Sequence, residues 1–333
     1  MTHESIRKSA PSITLRYPLT VVVGPTASGK TDLAQEIACA LEADVLSADS
    51  MQVYRGMNVG TGKIGLTDRK VPHHGLDLVD PGESFSASLY QEYGRNVITA
   101  LDARDRRCVV CGGTGFYVRA LIDEFEFPEG EQTDNPVRQH YRHEVETLGT
   151  RAVWEQLAAC DSASAALIPP NDSRKVVRAF EMIANGTSYA SQRASFQSIP
   201  QHYPACLIGL RVDPYILSER INARVDKMLA DGLVEEVESL LQRGFRHALT
   251  ASQAIGYKEI VEVLDGNCTM DEAVERIKTA TRRYAKRQRT WFRKDARIQW
   301  LDADSSDTAG LTRESLALIA RMEHEKRLLK GKE

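Results

Sequence analysis

The segment Gly24-Pro25-Thr26-Ala27-Ser28-Gly29-Lys30-Thr31 satisfies G-x-x-x-x-G-K-[ST] at every fixed position, a spacing that wraps backbone around phosphate oxygens. The glycines let amide N–H groups turn inward, and the N-terminus of a following helix adds partial positive charge. Lys30 supplies a full charge, and the Thr31 hydroxyl is placed to reach a magnesium ion. The chemistry indicated is polyphosphate binding. The motif alone does not assign that polyphosphate to ATP.

In ATPases and kinases the partner of such a loop is an apolar strand ending in a metal-holding acid. Here the strand Arg107 to Cys111 ends in Gly112-Gly113-Thr114-Gly115, a second glycine-rich turn that carries a hydroxyl. The strand that does end in an acid is Asp44 to Ala48, closing on Asp49-Ser50. A carboxylate at the carboxyl end of a parallel strand is where α/β enzymes place chemistry. Asp49 is therefore a candidate base or magnesium ligand, with a helix cap as the plain alternative. Met51 to Gly62 has no clean period and is expected to form an ordered loop over the site. Within it Gln52, Tyr54 and Arg55 offer amide, stacking and charge groups to an aromatic base. His73 and His74 have no Cys or acid at metal-ligand spacing and are expected to be structural.

Between Arg276 and Arg297 stand ten Lys or Arg residues against one acid, although the chain as a whole, with 43 basic and 46 acidic side chains, is nearly neutral at -3. Lys278, Arg282, Arg283, Lys286, Arg287, Arg289 and Arg293 cover more than half the circumference of one long helix, with Tyr284, Trp291 and Phe292 among them. Uncompensated like charges repel, and a polyanion relieves them. A grip on nucleic-acid phosphates is the expectation, against a generic basic surface. Arg174, Lys175 and Arg178 form a smaller cluster, with Arg174 and Arg178 on one helical face.

The elements that must position these groups follow from the pattern. Strands at Leu19 to Val23, Asp44 to Ala48 and Arg107 to Cys111 alternate with helices at about Lys30 to Leu41, from Ser84 or Ser86 to Leu101, and onward to Ile122. Such alternation implies a parallel sheet covered on both sides. Asp123 to Asn135 is acidic and irregular. Helices then follow without strands, at Val137 to Leu148, Arg151 to Ala159 and Ser173 to Ala184, the last ended by Gly186 as a C-cap candidate. Ala205 to Val212 is a strand returning to the first sheet. Asp213-Pro214 starts a helix, Thr269-Met-Asp-Glu272 is a capping box for a helix to about Trp291, and another helix fills the tail from Ser305. The division expected is a phosphate-loop α/β core over 17–128, a helical insertion over 129–202, and a return to the core with C-terminal helices over 203–333.

At 333 residues with 42% hydrophobic and 27% charged, the composition is that of a globular chain, not a disordered or fibrous one. It contains no run of eighteen apolar residues, which excludes a helical membrane span, and the polar N-terminus argues against a signal peptide. The six cysteines are scattered. Cys108 and Cys111 lie on a strand, where i and i+3 face opposite ways and do not share a metal. Buried free thiols and a reducing cytoplasm are expected.

Eight motifs together resemble the bacterial tRNA dimethylallyltransferases, also called tRNA isopentenyltransferases. They are GPTASGKT (Gly24 to Thr31), SADSMQVYRGMNVGTGK (Ser47 to Lys63), VPHHGLD (Val71 to Asp77), VVCGGTGFYVRAL (Val109 to Leu121), NDSRKVVRAFE (Asn171 to Glu181), ERINARVDKML (Glu219 to Leu229), QAIGYKE (Gln253 to Glu259) and KRQRTWFR (Lys286 to Arg293). They run in family order over roughly Thr20 to Leu301.

The resemblance implies Mg2+-dependent transfer of a dimethylallyl group from its diphosphate to N6 of the adenosine 3′-adjacent to the anticodon, position 37, in tRNAs reading codons that begin with U. It implies that Gly24 to Thr31 hold the donor diphosphate, with Thr31 toward the metal. Asp49 takes the general-base role, Thr114 contacts the reacting region, and Arg220, or with it Arg224, supports the leaving group or the RNA. Asp49, Ser50, Met51 and Gln52 line the adenine pocket together with Thr114. Arg138 and the stretch Arg174, Lys175, Val176, Val177 and Arg178 touch tRNA, as do Arg282, Arg283 and Arg287. A cytoplasmic monomer that binds the anticodon stem-loop is implied. Lys175 stands where the family usually carries Arg, which keeps the charge and loses the bidentate fork. Two other activities would use the same loop: an ATP-dependent kinase of small molecules, which the missing second acid disfavours, and a prenyltransferase of free adenine nucleotides, which would not need the basic clusters.

Overall fold

The structure, a computed structural model, describes residues 13–127, 135–196 and 199–330. The expected domain boundary at 128–129, most of the acidic irregular segment, the polar residues 1–12 and the last three residues lie outside the described residues. The chain runs β1 (Leu19–Val23), α1 (Lys30–Ala40), β2 (Ala43–Ser47), β3 (His73–His74), α2 (Ala87–Asp102), β4 (Arg107–Gly112) and α3 (Gly115–Ile122). Five helices follow: α4 (Pro136–Leu148), α5 (Thr150–Cys160), α6 (Ser162–Leu167), α7 (Ser173–Ala184) and α8 (Tyr189–Ser195). The chain then makes β5 (Ala205–Arg211), α9 (Pro214–Ala230), α10 (Leu233–Gln242), α11 (Tyr257–Leu264), α12 (Met270–Phe292), β6 (Gln299–Asp302) and α13 (Thr308–Lys330).

The six strands form one sheet in the order β3-β2-β4-β1-β5-β6, every pair parallel. Its central strands are short and rich in valine and other apolar residues, buried on both faces, as a parallel sheet between helix layers requires. Val21 and Val23 face one core with Val110 and Leu207, while Val22 faces the other with Val109, Ile208 and the α1 residues Leu33 and Ile37. This is a P-loop-like α/β fold. Cys108 and Cys111 fall into opposite cores, so their spacing makes no metal site. Burial is not general among the thiols, however, because Cys39 and Cys160 are exposed.

Two strands escape the hydrophobic pattern, and both are sheet edges. β3 has two residues and pairs with β2, and His74 Nε2 lies 2.8 Å from Asp44 Oδ2, which gives the histidine a structural partner. β6 is a four-residue edge with one buried side chain. Short helices α6 and α8 and the turn-rich passage through α10 and α11 also lie beyond the expected elements. Where caps were legible the structure has them. Ser86 accepts from the Leu89 amide at the start of α2, Asp213 caps α9 with Pro214 in its first turn, and Thr269 and Glu272 form a reciprocal box on α12. Gly186, at φ +70°, follows α7 in the left-handed conformation.

Two compact units are present, Met1–Asp123 with Gln201–Glu333, and Glu124–Pro200. The second packs Val153, Leu157, Ile168, Val176 and Phe180 into its own core, and Tyr141 stacks on Phe180 at 3.7 Å between ring centroids. At its centre Glu181, 1% exposed, receives Arg138, whose Nη2 donates at 2.9 Å, and Arg178, whose Nη1 donates at 3.1 Å. Removing a buried carboxylate strands the charges it neutralised, at a cost of about 3–5 kcal/mol. Glu181→Ala is therefore expected to destabilise this unit by roughly 3 kcal/mol. Hydrogen exchange should accelerate in α4 and α7 of the full chain and stay unchanged in β1, β4 and β5; unchanged exchange in α7 refutes the assignment.

Candidate active site

The phosphate loop leaves β1 at Gly24, whose φ of +152° and close neighbours admit no side chain comfortably: a Cβ would lie 3.1 Å from Leu210 O and from Ser28 Oγ. Gly29, at φ +84°, turns the chain into α1. Lys30 Nζ donates to Pro25 O at 2.5 Å. Burial pulls its ammonium down to about 8, against the attraction of Cys111 and Asp49. The Ser28 hydroxyl is buried without a partner among the described residues. An enclosed cation and an orphaned hydroxyl in one loop are what a bound oxyanion would satisfy.

Strand order brings the second glycine turn beside the first. β4 lies between β2 and β1, pairing Val23 with Gly112 and Ser47 with Cys111. Ala48 N donates to Cys111 O at 2.8 Å, and Thr114 N donates back to Ala48 O at 3.2 Å. A Cβ on Gly112 would stand 2.1 Å from Ala48 O, so only glycine permits this approach. Thr114 Oγ1 accepts from Ser50 N at 3.0 Å. Asp49 Oδ1 accepts from Met51 N at 2.9 Å, which aims the carboxylate from a tight turn. Asp49, Ser50 and Thr114 thus meet at the ends of neighbouring strands.

A second wall comes from α9 and α12. Arg224 Nη2 donates to Thr61 O at 3.3 Å, and burial lowers its pKa against the attraction of Asp49. Gly62, at φ +58°, makes room for it, since a Cβ there would meet Arg224 Nη2 at 1.9 Å. Arg220, one helical turn away, lines the phosphate cleft but is tied to Asp304 at 3.1 Å. Arg224 is the more central of the two. From α12, Tyr284 reaches Thr114 and Gln288; burial pushes its phenol up to about 12, and Asp49 adds to the effect.

The loop after Asp49 is clamped from α10 and α11. The Glu236 carboxylate accepts from the amides of Asn58, Val59 and Gly60 at 2.9, 2.9 and 3.2 Å. The Tyr257 hydroxyl donates to it at 2.6 Å. Gln52 stays in the site, its side chain tied to Ser47 Oγ at 2.9 Å. Tyr54 and Arg55 do not. Tyr54 is wholly buried in the core, and Arg55 bonds Leu78 O and pairs with Asp80, so neither is offered to a base.

Two cavities result. A polar cleft of about 1220 Å³ is lined by Thr26 to Thr31, Gly112, Gly113, Arg220 and Arg224. A smaller chamber of about 260 Å³ has Ser50, Met51, Val225, Met228, Ile255 and Ile277 in its wall. Thr26, Asp49, Thr61, Arg224 and Tyr284 belong to both, so Asp49 stands where a phosphate site opens onto a largely apolar one.

A further groove of about 430 Å³ is lined by Arg283, Lys286, Arg287, Thr290 and Trp291 of α12 and by Lys294 just past its end, with Arg287 shared between groove and chamber. Arg282 turns away from it, donating to Asn222 Oδ1 at 2.7 Å and Thr279 Oγ1 at 2.9 Å. Lys278 pairs with Asp226 at 2.7 Å, and Arg297 with Asp295 and the buried Asp123. In the helical unit, Val176 and Val177 are buried and present no side chain to a ligand. Arg138 and Arg178 are committed to Glu181, while Arg174 and Lys175 are exposed, with Lys175 paired to Asp172.

A family model described as IPP transferase matches residues 52–295, and one described as isopentenyl transferase matches residues 17–69. The tRNA dimethylallyltransferase of Halalkalibacterium halodurans is 42% identical over 299 residues, covering 88% of this chain and 93% of that one. Its counterpart in Bacillus subtilis is 41% identical over 288 residues, covering 86% and 91%. Among solved structures, the full-length tRNA isopentenylpyrophosphate transferase of Bacillus halodurans superposes with a TM-score of 0.71 at 38% identity, covering 95% of this chain and 100% of that one. A eukaryotic dimethylallyltransferase captured acting on tRNA gives a TM-score of 0.72 at 28% identity, over 86% and 74% of the two chains. With phosphate loop, acid and glycine turn in one site and relatives matching nearly end to end, the chain belongs to the bacterial tRNA dimethylallyltransferase family.

Proposed function

We propose that the protein transfers a dimethylallyl group from dimethylallyl diphosphate to the exocyclic N6 of adenosine 37, beside the anticodon of tRNAs that read codons beginning with U. The observation that carries this reading is the junction of the two cavities at Asp49. The phosphate cleft takes the donor's diphosphate, and the apolar chamber takes the flat base and the prenyl chain. A base must leave its stack to enter such a chamber, and an anticodon loop makes extrusion inexpensive.

In the reaction N6 attacks C1 of the allyl group, the C1–O bond breaks, and the electron pair leaves with diphosphate. The loop amides, Lys30 and Arg224 stabilise the charge gathering on the leaving oxygens. An aryl amine is a weak nucleophile, and Asp49 accepts its proton as the N–C bond forms. Thr114 holds the Asp49 turn through Ser50. A magnesium ion fits this donor set. Among the described residues no three His, Cys, Asp or Glu side chains make a dedicated cage, and Mg2+ is commonly held by one or two protein oxygens plus substrate phosphates. Thr31 would hold it, and the ion would offset diphosphate charge.

Asp49→Asn preserves size and the turn but removes the base, so single-turnover rates should fall by roughly 10²–10⁴, the span of general-base catalysis. A defect that added magnesium repairs would reassign Asp49 to the metal, and a near-normal rate would leave it a cap.

The groove on α12 supplies RNA affinity. Reversing Arg283, Lys286 and Lys294 to Glu should weaken binding of an anticodon stem-loop and flatten its salt dependence by up to about 0.9 units of slope per lost contact. Arg282→Glu should instead lower thermal stability, since its partners are Asn222 and Thr279. Equal salt slopes in wild type and the triple variant would refute the RNA assignment.

A further inference from the structure

Gln288 sits on α12, one turn past Tyr284, and is 5% exposed among backbone rather than solvent. Its Oε1 accepts from the Thr26 amide of the phosphate loop at 2.8 Å. Its Nε2 donates to Gly113 O in the second glycine turn at 2.9 Å. Both ends of one primary amide are thus spent on the two backbone segments that face the phosphate cleft. The approach is close enough to require glycine, since a Cβ at position 113 would lie 2.1 Å from Gln288 Nε2, and one at Gly115 would lie 2.1 Å from the Trp291 ring.

We infer that Gln288 is a positioning residue for the donor diphosphate. It acts through Thr26 and Gly113, holding loop and turn at the spacing that lets the loop amides converge on one anion. The inference rests on reading the loop as the donor site. It goes beyond that reading because Gln288 itself contributes no charge and needs no contact with substrate. The paired register of β1 and β4 ends at Val23 and Gly112, so beyond that pair the sheet no longer sets the gap between Thr26 and Gly113. An unbranched side chain carrying a donor and an acceptor on a planar head spans it, and no other uncharged residue of that length offers both. The same helix carries the basic groove on a neighbouring stripe, so the element that meets RNA also sets the width of the anion site.

The test compares wild type, Gln288→Met and Gln288→Glu. Methionine fills the space without either bond, leaving the half-buried Thr26 amide without its protein partner. Glutamate keeps the acceptor for Thr26 but cannot donate to Gly113. For Gln288→Met, the Kd for dimethylallyl diphosphate with magnesium, by calorimetry, should rise roughly tenfold, the size of one lost hydrogen bond. The KM for this donor should rise in parallel, the Kd for an anticodon stem-loop should stay within about twofold, and hydrogen exchange should quicken over residues 24–30. In Gln288→Glu the loop exchange should remain slow. A wild type that binds no dimethylallyl diphosphate overturns the donor-site reading itself. A wild type that binds it and a methionine variant that binds it equally well overturn the role of Gln288 alone. Should the methionine variant not fold, fast loop exchange in a folded glutamate variant also overturns it.

Discussion

The site depends on how closely two backbone segments approach at the carboxyl end of the sheet. β2 and β4 are neighbours, and the chain leaving β2 crosses the chain leaving β4 at a distance that excludes a Cβ on Gly112. That contact fixes Thr114 against Ser50, and through the tight turn it directs the Asp49 carboxylate toward the phosphate loop. The third neighbour, β1, brings the loop itself. A diphosphate concentrates charge over a few ångströms and needs several donors aimed at one point. Strand ends in a parallel sheet provide such convergence because hydrogen bonding fixes their spacing. A larger residue at Gly112 would disturb the acid, the hydroxyl and the loop together.

Much of this arrangement is legible in the sequence, for physical reasons. β1, β2, β4 and β5 are central strands, so their apolar runs are continuous. Caps at Ser86, Asp213 and Thr269 involve local hydrogen bonds that residue types alone announce. The edge strands β3 and β6 lack both signals, because an edge has one bonded side and little buried surface. Asp49 and Thr114 are visible as residues that end predicted strands. Their meeting also requires the strand order, which no local pattern carries.

Charge is where the pattern misleads most. Arg282 has the same periodicity as its neighbours, yet its guanidinium is spent on Asn222 and Thr279. Arg178 belongs to a basic cluster in the sequence and Arg138 is marked by the family resemblance, and both guanidiniums converge on Glu181. A basic residue in sequence is a possible contact until its acceptors are known, and long-range acceptors are set by tertiary packing. Val176 and Val177, which the family resemblance sets in the same stretch, turn their side chains inward. Glu236 and Tyr257 are invisible as site elements because their task is to hold the backbone of residues 58–60, which no motif spacing records.

Helix α12 resolves into two stripes once its partners are known. Ile277, Thr281, Tyr284 and Gln288 recur at i, i+4, i+7 and i+11 and line the cavities. Arg283, Lys286, Thr290 and Lys294 line the groove outside, and Arg287 borders both groove and chamber. The inward stripe mixes apolar, hydroxyl, phenol and amide groups, so it carries no hydrophobic signature, and the basic stripe dominates any reading by composition. Tyr284 and Arg287 adjoin, the guanidinium 5.5 Å from the ring centroid. One rigid helix therefore closes the chamber with one face and presents cations with the other, which places phosphates bound on the groove a helix diameter or less from the chamber. That distance suits an anticodon loop whose backbone remains on the surface while a single base turns inward.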